Sequence, residues 1–478
     1  MAVTAPRRVK IVATLGPASA DAATVRKLAL AGVDCFRLNA AHLQPEAIAP
    51  LVALVHAEEA AVGRPLGVFC DLAGPKLRVA KDSASITLVP GSSVTVGTPD
   101  HGATVVVEGI DPARECPPGS RILLHDGKVV LRVTSAAHDL VTAEVVRGGE
   151  VSAGIGVNLP DVETSLPSLT EPDLRCLRAA LSGGADAVSL SFVRRAADVV
   201  ALRAAMRSCG REVPIIAKLE KAQAVVPDAL AAILAAADLV MVARGDLGAE
   251  TAPELVPVLQ KQILHAARSA GVPAITATEM IESMIHEPRP TRAEAGDVAN
   301  AVFDGTDAVM LSAETAVGAH PALVVEVAAK IIAEAEAHPE YRSGWAQSPC
   351  ATELGDPVSD AVAEAAAEAA DHLAAAVLVC FTQSGKTALL AARHRPSRHV
   401  LALTPRLEVA RWLSLVWGIE ASVVTAQPDD HEAVLQLAER AALQHGAARA
   451  GELIVVTHGA PIASGPVTNL MRVHHIGG

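Results

Sequence analysis

The chain has 478 residues, too many for one ordinary hydrophobic core, so two to four domains are expected. Hydrophobic residues at 51% against 19% charged describe a folded, soluble protein rather than a disordered one. A net charge of −13 argues against sequence-independent nucleic-acid binding, and no apolar run approaches the roughly 20 residues that cross a bilayer.

The basic N-terminal residues Arg7, Arg8 and Lys10 lead into KIVATLGPAS, which reads as a strand and turn, not a signal peptide. Eight runs rich in Val, Ile and Leu follow in order: 8–16, 35–40, 66–72, 186–192, 214–220, 237–244, 273–279 and 307–315. Near-continuous apolar runs separated by helix-length segments describe a parallel sheet buried on both faces. Eight βα units point to a (β/α)8 TIM barrel, whose active site lies at the C-terminal ends of its strands. Polar residues gather at those ends: Arg37 and Asn39, Asp71, Ser191, Lys218 and Glu220, Arg244 and Asp246, Thr278, Glu314.

Between Asp71 and about Leu166 the texture changes to short alternating runs broken by Gly, Pro and Asp. This predicts a small antiparallel β-barrel lid inserted after the third strand. The segment HPEYRSGWAQSPCATELGDP then reads as a connector. Beyond it AAAVLVCFT, HVLALTP, IEASVVTA and ELIVVTHG alternate with helices, as in a separate α/β domain. Cys35, Cys70, Cys116, Cys176, Cys209, Cys350 and Cys380 include no C-x-x-C pair, so buried free thiols in a reducing cytoplasm are expected.

Lys218 and Glu220 share a strand face, and Asp246 ends the next apolar run. Two carboxylates and an ammonium around one point suit a divalent cation holding an anionic oxygen substrate. Arg37 and Asn39 share a face by the same rule. TQSGKT (382–387) follows a strand and opens a helix, so its small residues Thr382, Ser384, Gly385 and Thr387, with Lys386, suit a phosphate.

The segments IIAKLEKAQ, MVARGDLGAE and ATEMIESMIHEPRPTRAEAGDVANAVFDGTDAVMLSAET, collinear and similarly spaced, resemble the signature of the pyruvate kinase family. GVNLPDVETSLPSLTEPD and SFVR resemble the return from that family's lid, and VTNLMRV its C-terminal strand. The resemblance implies a catalytic barrel over 1–77 and 165–340, a lid over 78–164 and an effector and oligomerisation domain over 355–478. It implies phosphoryl transfer from phosphoenolpyruvate to ADP in glycolysis, with Mg2+ (or Mn2+) on Glu220 and Asp246, in a cytoplasmic homotetramer.

By the same resemblance Lys218 stabilises the transferring phosphoryl group and the enolate oxygen. Arg37 grips phosphoryl oxygens, Gly245 and Asp246 offer backbone N–H groups to the substrate carboxylate, and Thr278 serves proton delivery. Asn39, His42 and Arg78 resemble nucleotide-side positions. The TQSGKT loop, with GAPIASGPVTN as its partner, would receive a sugar-phosphate or nucleotide effector.

The chain departs from the family at several positions. Many members hold K+ on side-chain oxygens; Asn39 and Asp71 are kept, but two donors become Ala41 and Leu72, and a Glu becomes Lys76. This resembles the K+-independent branch, with the Lys76 charge beside Asp71 replacing the cation. Ile155 replaces a lysine, Glu279 a Gln and His125 an Asp, and RLNAAHL lacks the usual aromatic and glycine. Two other readings remain open: a metal-dependent aldolase-type barrel enzyme, and a catalytically weak regulatory relative that binds sugar phosphates.

Overall fold

The computed structural model describes residues 7–125, 127–137, 139–343, 356–425, 428, 430–460 and 467–477. Eight parallel strands close a barrel: β1 (Lys10–Leu15), β2 (Cys35–Asn39), β3 (Gly67–Leu72), β4 (Ala187–Leu190), β5 (Ile215–Leu219), β6 (Leu239–Ala243), β7 (Ala274–Ala277) and β8 (Ala308–Leu311). Each is followed by a helix that returns the chain outside the barrel, except that the lid intervenes after β3. The helices are punctuated as their sequences demand. Thr170 and Asp173 form a capping box before Glu171–Gly183, and Gly184 ends that helix in the left-handed conformation.

Inside the barrel, Val12, Phe69, Ile216, Met241, Ile275 and Met310 pack into an apolar plug. The run expected over 307–315 is shorter than its apolar pattern. The strand stops at Leu311, and Ala313–Ala316 turn into a short helix. Glu314 sits in that helix with its carboxylate bonded to the Ser312 N–H at 2.7 Å. Local side-chain bonding of this kind pulls the backbone away from an extended path.

The lid is a seven-stranded sheet and a separate two-stranded one, Ile86–Leu88 with Gly149–Val151. Its pairings are antiparallel save one: Ser93–Gly97 runs parallel to Val105–Glu108. Alternation with period two places a strand's faces but carries nothing about its direction. The chain enters and leaves the lid side by side, with Val157 N–H bonded to Leu77 O at 3.0 Å.

The C-terminal sheet has the order β11 (Ile419–Val423), β10 (His399–Thr404), β9 (Val377–Phe381), β12 (Leu453–His458) and β13 (Leu470–His475). All pairs are parallel except β12 with β13. This domain closes the floor of the barrel. Leu415 joins the interior plug, Arg411 pairs bidentately with Glu59 at 2.7 and 2.8 Å, and Lys10 Nζ donates to Ile419 O at 2.7 Å. Trp417, 2% exposed, lies between the guanidinium groups of Arg8 and Arg395 and donates to the Tyr341 hydroxyl at 2.8 Å. Five described cysteines are buried, whereas Cys209 is exposed just after the helix Ala196–Ser208. Cys350, most of the connector and the centre of GAPIASGPVTN (461–466) lie outside the described residues.

Candidate active site

Side chains pointing inward from the C-terminal ends of β2 to β5 meet at Asp71. In register with it lie Asn39 on β2 and Ser189 on β4. Asp71 Oδ1 accepts from Ser189 Oγ at 2.5 Å, and Oδ2 accepts from Arg37 Nε at 2.8 Å and Nη2 at 2.5 Å. Lys218 Nζ stands 3.4 Å from the same oxygen. Burial alone would push this carboxyl upward, but Lys218 and then Arg37 overcome it and hold Asp71 below the usual range.

Lys218 Nζ also faces Glu220 Oε1 at 2.7 Å and donates to Ser191 Oγ at 2.8 Å; Ser191 in turn donates to Leu72 O at 2.7 Å. Burial disfavours the ammonium, yet Asp71 and Glu220 together keep its pKa above the ordinary lysine value. Lys218 therefore stays charged in a dry site, a fixed cation aimed at whatever enters the mouth.

Glu220 is wholly buried. Its Oε2 accepts the Phe192 N–H at 2.7 Å, while Oε1 has no hydrogen-bond donor of good geometry and only the Lys218 ion pair beside it. Desolvation raises its pKa; Lys218 opposes this and the nearby Asp246 adds to it. Asp246 does not end the strand, as its position after the apolar run suggests, but lies in the first turn of the helix Arg244–Glu250. A buried carboxylate with an unsatisfied oxygen, whose pKa the neighbouring Asp246 helps to raise, fits a hard divalent cation held between the two. Among the described residues no group of three or more His, Cys, Asp or Glu could hold a metal, so a cation on this pair takes its remaining ligands from substrate or water.

Thr278 follows β7 with φ +66°, and Glu279 has φ +53°. A β-branched residue in the left-handed region is a true outlier. Its hydroxyl donates to Ala277 O at 2.6 Å and accepts the Gly245 N–H at 2.9 Å, so the threonine and the Gly–Asp turn are joined. Buried Arg244 clamps the carbonyls of Thr278 and Glu279 and pairs with Asp297 at 2.6 Å.

Other expected residues stand further out. Asn39 Oδ1 accepts from Ala41 N–H at 3.2 Å, and His42 is exposed at the end of the turn Ala40–His42. Arg78 belongs to the lid strand Arg78–Val79, its guanidinium on Gly154 O at 2.7 Å. The structure does not bring Lys76 to Asp71. Lys76 is exposed and makes no ion pair among the described residues, because Arg37, Ser189 and Lys218 already enclose that carboxylate. Glu314 serves backbone N–H groups rather than the mouth. Ser189, bonded to Asp71, is a part of the site that sequence reasoning missed, as it missed the ion pair between Lys221 and Glu250 beside it. Glu250 had a signal, since it lies one helical turn beyond Asp246.

In the C-terminal domain, Thr382 Oγ1 accepts the Gly385 N–H at 2.9 Å and Thr387 Oγ1 bonds Thr468 Oγ1 at 2.8 Å. Gly385 has φ +89°, and a Cβ there would run into the Trp412 ring. Ser384 and Lys386 line a cavity of about 730 Å3 between the barrel floor and this domain, with Arg203, Arg211 and Arg406.

Comparison with known proteins follows the same division. A family model described as "Pyruvate kinase, barrel domain" matches residues 6–325, and one described as "Pyruvate kinase, alpha/beta domain" matches residues 360–474. The chain is 40% identical to a protein named pyruvate kinase from Agrobacterium vitis, over 100% of both chains. It is 39% identical to the pyruvate kinase of Mycobacterium tuberculosis strain H37Rv, over 98% of this chain and 99% of that one. With Synechocystis pyruvate kinase 2 it shares 39% identity over 98% of its own length and 79% of the other's. Both domains are matched and the likeness runs nearly end to end: the chain belongs to the pyruvate kinase family, a family of phosphotransferases.

Proposed function

We propose that the chain is a glycolytic, cytoplasmic pyruvate kinase that transfers the phosphoryl group of phosphoenolpyruvate to ADP, giving pyruvate and ATP, without requiring K+. The observation that carries this reading is Lys218, buried at the barrel mouth between Asp71 and Glu220 and kept charged by them.

In the reaction the bond from phosphorus to the enol oxygen breaks, a bond to the terminal ADP oxygen forms, and the enolate carbon takes a proton. Mg2+ or Mn2+, held by Glu220 and Asp246, would supply charge neutralisation for the phosphoryl and enolate oxygens. Lys218 places a compact positive charge on the same oxygens, and the planar fork of Arg37 orients the phosphoryl group. Backbone N–H groups of Gly245 and Asp246 take the substrate carboxylate. Thr278, whose hydroxyl both donates and accepts, passes the proton. Asn39, His42 and Arg78 serve the nucleotide.

Independence from K+ rests on the two lost oxygens at Ala41 and Leu72 and on the two cations already paired with Asp71. A sugar-phosphate or nucleotide effector would use Ser384, Lys386 and the arginines of the floor cavity, and assembly would be a homotetramer.

The test is pyruvate formation from phosphoenolpyruvate and ADP with Mg2+, in buffer free of K+ and NH4+. Turnover unchanged on adding K+ is expected. Turnover only with K+ would keep the enzyme and remove its independence. Folded protein that is stabilised by a sugar phosphate but forms no pyruvate under either condition would favour the regulatory reading.

A further inference from the structure

Glu250 ends the short helix Arg244–Glu250, and its side chain is 1% exposed. A carboxylate withdrawn so far from water costs several kcal/mol unless it is paired. Its Oε1 meets two partners, Lys221 Nζ at 2.5 Å and Asn158 Nδ2 at 2.8 Å. The three residues come from three separate segments. Lys221 directly follows Glu220. Asn158 ends the lid strand Val157–Asn158, where the chain returns toward the barrel. Glu250 itself stands one helical turn beyond Asp246. Lys221 also lies 5.7 Å from the ring centre of Phe192, the residue whose N–H holds Glu220 Oε2.

The phosphoryl-transfer chemistry described above uses none of these three side chains. Their arrangement still bears on it, because Glu220 and Asp246 repel each other whenever no cation lies between them, and something outside the pair must hold them at a useful separation. We infer that Glu250 is a positioning residue for the divalent-cation site: it fixes the segment of Glu220 against the helix of Asp246 and ties both to the root of the lid. The inference rests on reading Glu220 and Asp246 as the metal pair. Through Asn158, a displacement of the lid's root changes the spacing of the two carboxylates, and cation affinity becomes a function of lid position.

The experiment is Mn2+ binding to the full chain, followed by electron paramagnetic resonance, beside thermal unfolding without metal. Glu250→Gln keeps the shape and removes the charge; Asn158→Ala keeps the ion pair and cuts the lid contact. Each variant is expected to weaken Mn2+ binding on the order of ten-fold, as loss of a residue that orients a metal ligand does. The double variant should bind no worse than the weaker single one, because both changes act through one carboxylate. Lys221→Arg, which retains the cation, should bind Mn2+ better than Lys221→Met. Lower melting temperatures with unchanged Mn2+ affinity in both single variants would overturn the inference and leave a structural ion pair. A parent chain that binds no Mn2+, or binds it equally well after Glu220→Gln, would overturn the metal reading and this inference with it.

Discussion

Arg244 holds Thr278 by its carbonyl oxygen, Nη2 donating at 2.5 Å and Nε at 3.1 Å. The same Nη2 reaches Glu279 O at 2.9 Å. Thr278 and Glu279 both sit at positive φ, a conformation costing on the order of 1–3 kcal/mol per residue. A buried guanidinium with several directed donors offsets that strain, and an ammonium cannot reproduce the fork. Arg244→Lys should therefore lower kcat by about ten-fold or more, with a smaller change in KM for phosphoenolpyruvate. Steady-state kinetics on the variant checks this; a kcat equal to the parent's would show that the turn holds itself.

Lys218→Met removes the cation that pairs with both Asp71 and Glu220. Pyruvate formation should fall by roughly a thousand-fold, the scale expected when a fixed charge facing the transition state is lost. Circular dichroism should still report the parent fold, since Arg37 and Ser189 continue to satisfy Asp71.

Lys76 is exposed and unpaired among the described residues. Lys76→Ala should leave the response to K+ the same as that of the parent chain, measured by turnover with K+ against tetramethylammonium. A variant that becomes K+-dependent would show that this ammonium reaches Asp71 during turnover.

His399 on β10 gives a dependence on pH. Burial pushes its pKa down to about 4, against the partial restoring effect of Glu420, 3.9 Å away, while Lys10 and Arg8 push in the same direction as burial. A histidine depressed in the folded state contributes stability that is present above its unfolded value, near 6.5, and lost as pH falls toward 4. The loss is expected to be on the order of 3 kcal/mol across that window. Chemical denaturation of His399→Gln at pH 7 and pH 5 should show a smaller difference than the parent.

Much of this architecture is legible in residue order. Runs such as IIAKL and LVMVA, short and set between helix-length segments, read as strands buried on both faces, and the polar residues that follow them mark the mouth. What escapes is whatever depends on a partner distant in sequence. Ser189 looks like an ordinary strand residue until register sets it beside Asp71. Lys76 carries the right charge for Asp71, but three nearer groups take the carboxylate first. Asn158, Lys221 and Glu250 are separated by up to 92 positions, and no local pattern announces that they share an oxygen.

The scarcity of aromatic residues makes the junction under the barrel unusually visible to light. Of three tryptophans, Trp417 is sandwiched between Arg8 and Arg395, and Trp412 packs against Gly385; Trp345 lies outside the described residues. Trp412 lines the floor cavity and the Trp417 N–H bonds Asp307 just before β8, whereas Lys218 and Glu220 stand at the opposite, C-terminal end of β5. Emission from these two indoles therefore reports the fit between barrel floor and C-terminal domain, and a ligand that settles beside Lys386, in the cavity that Trp412 lines, announces itself there.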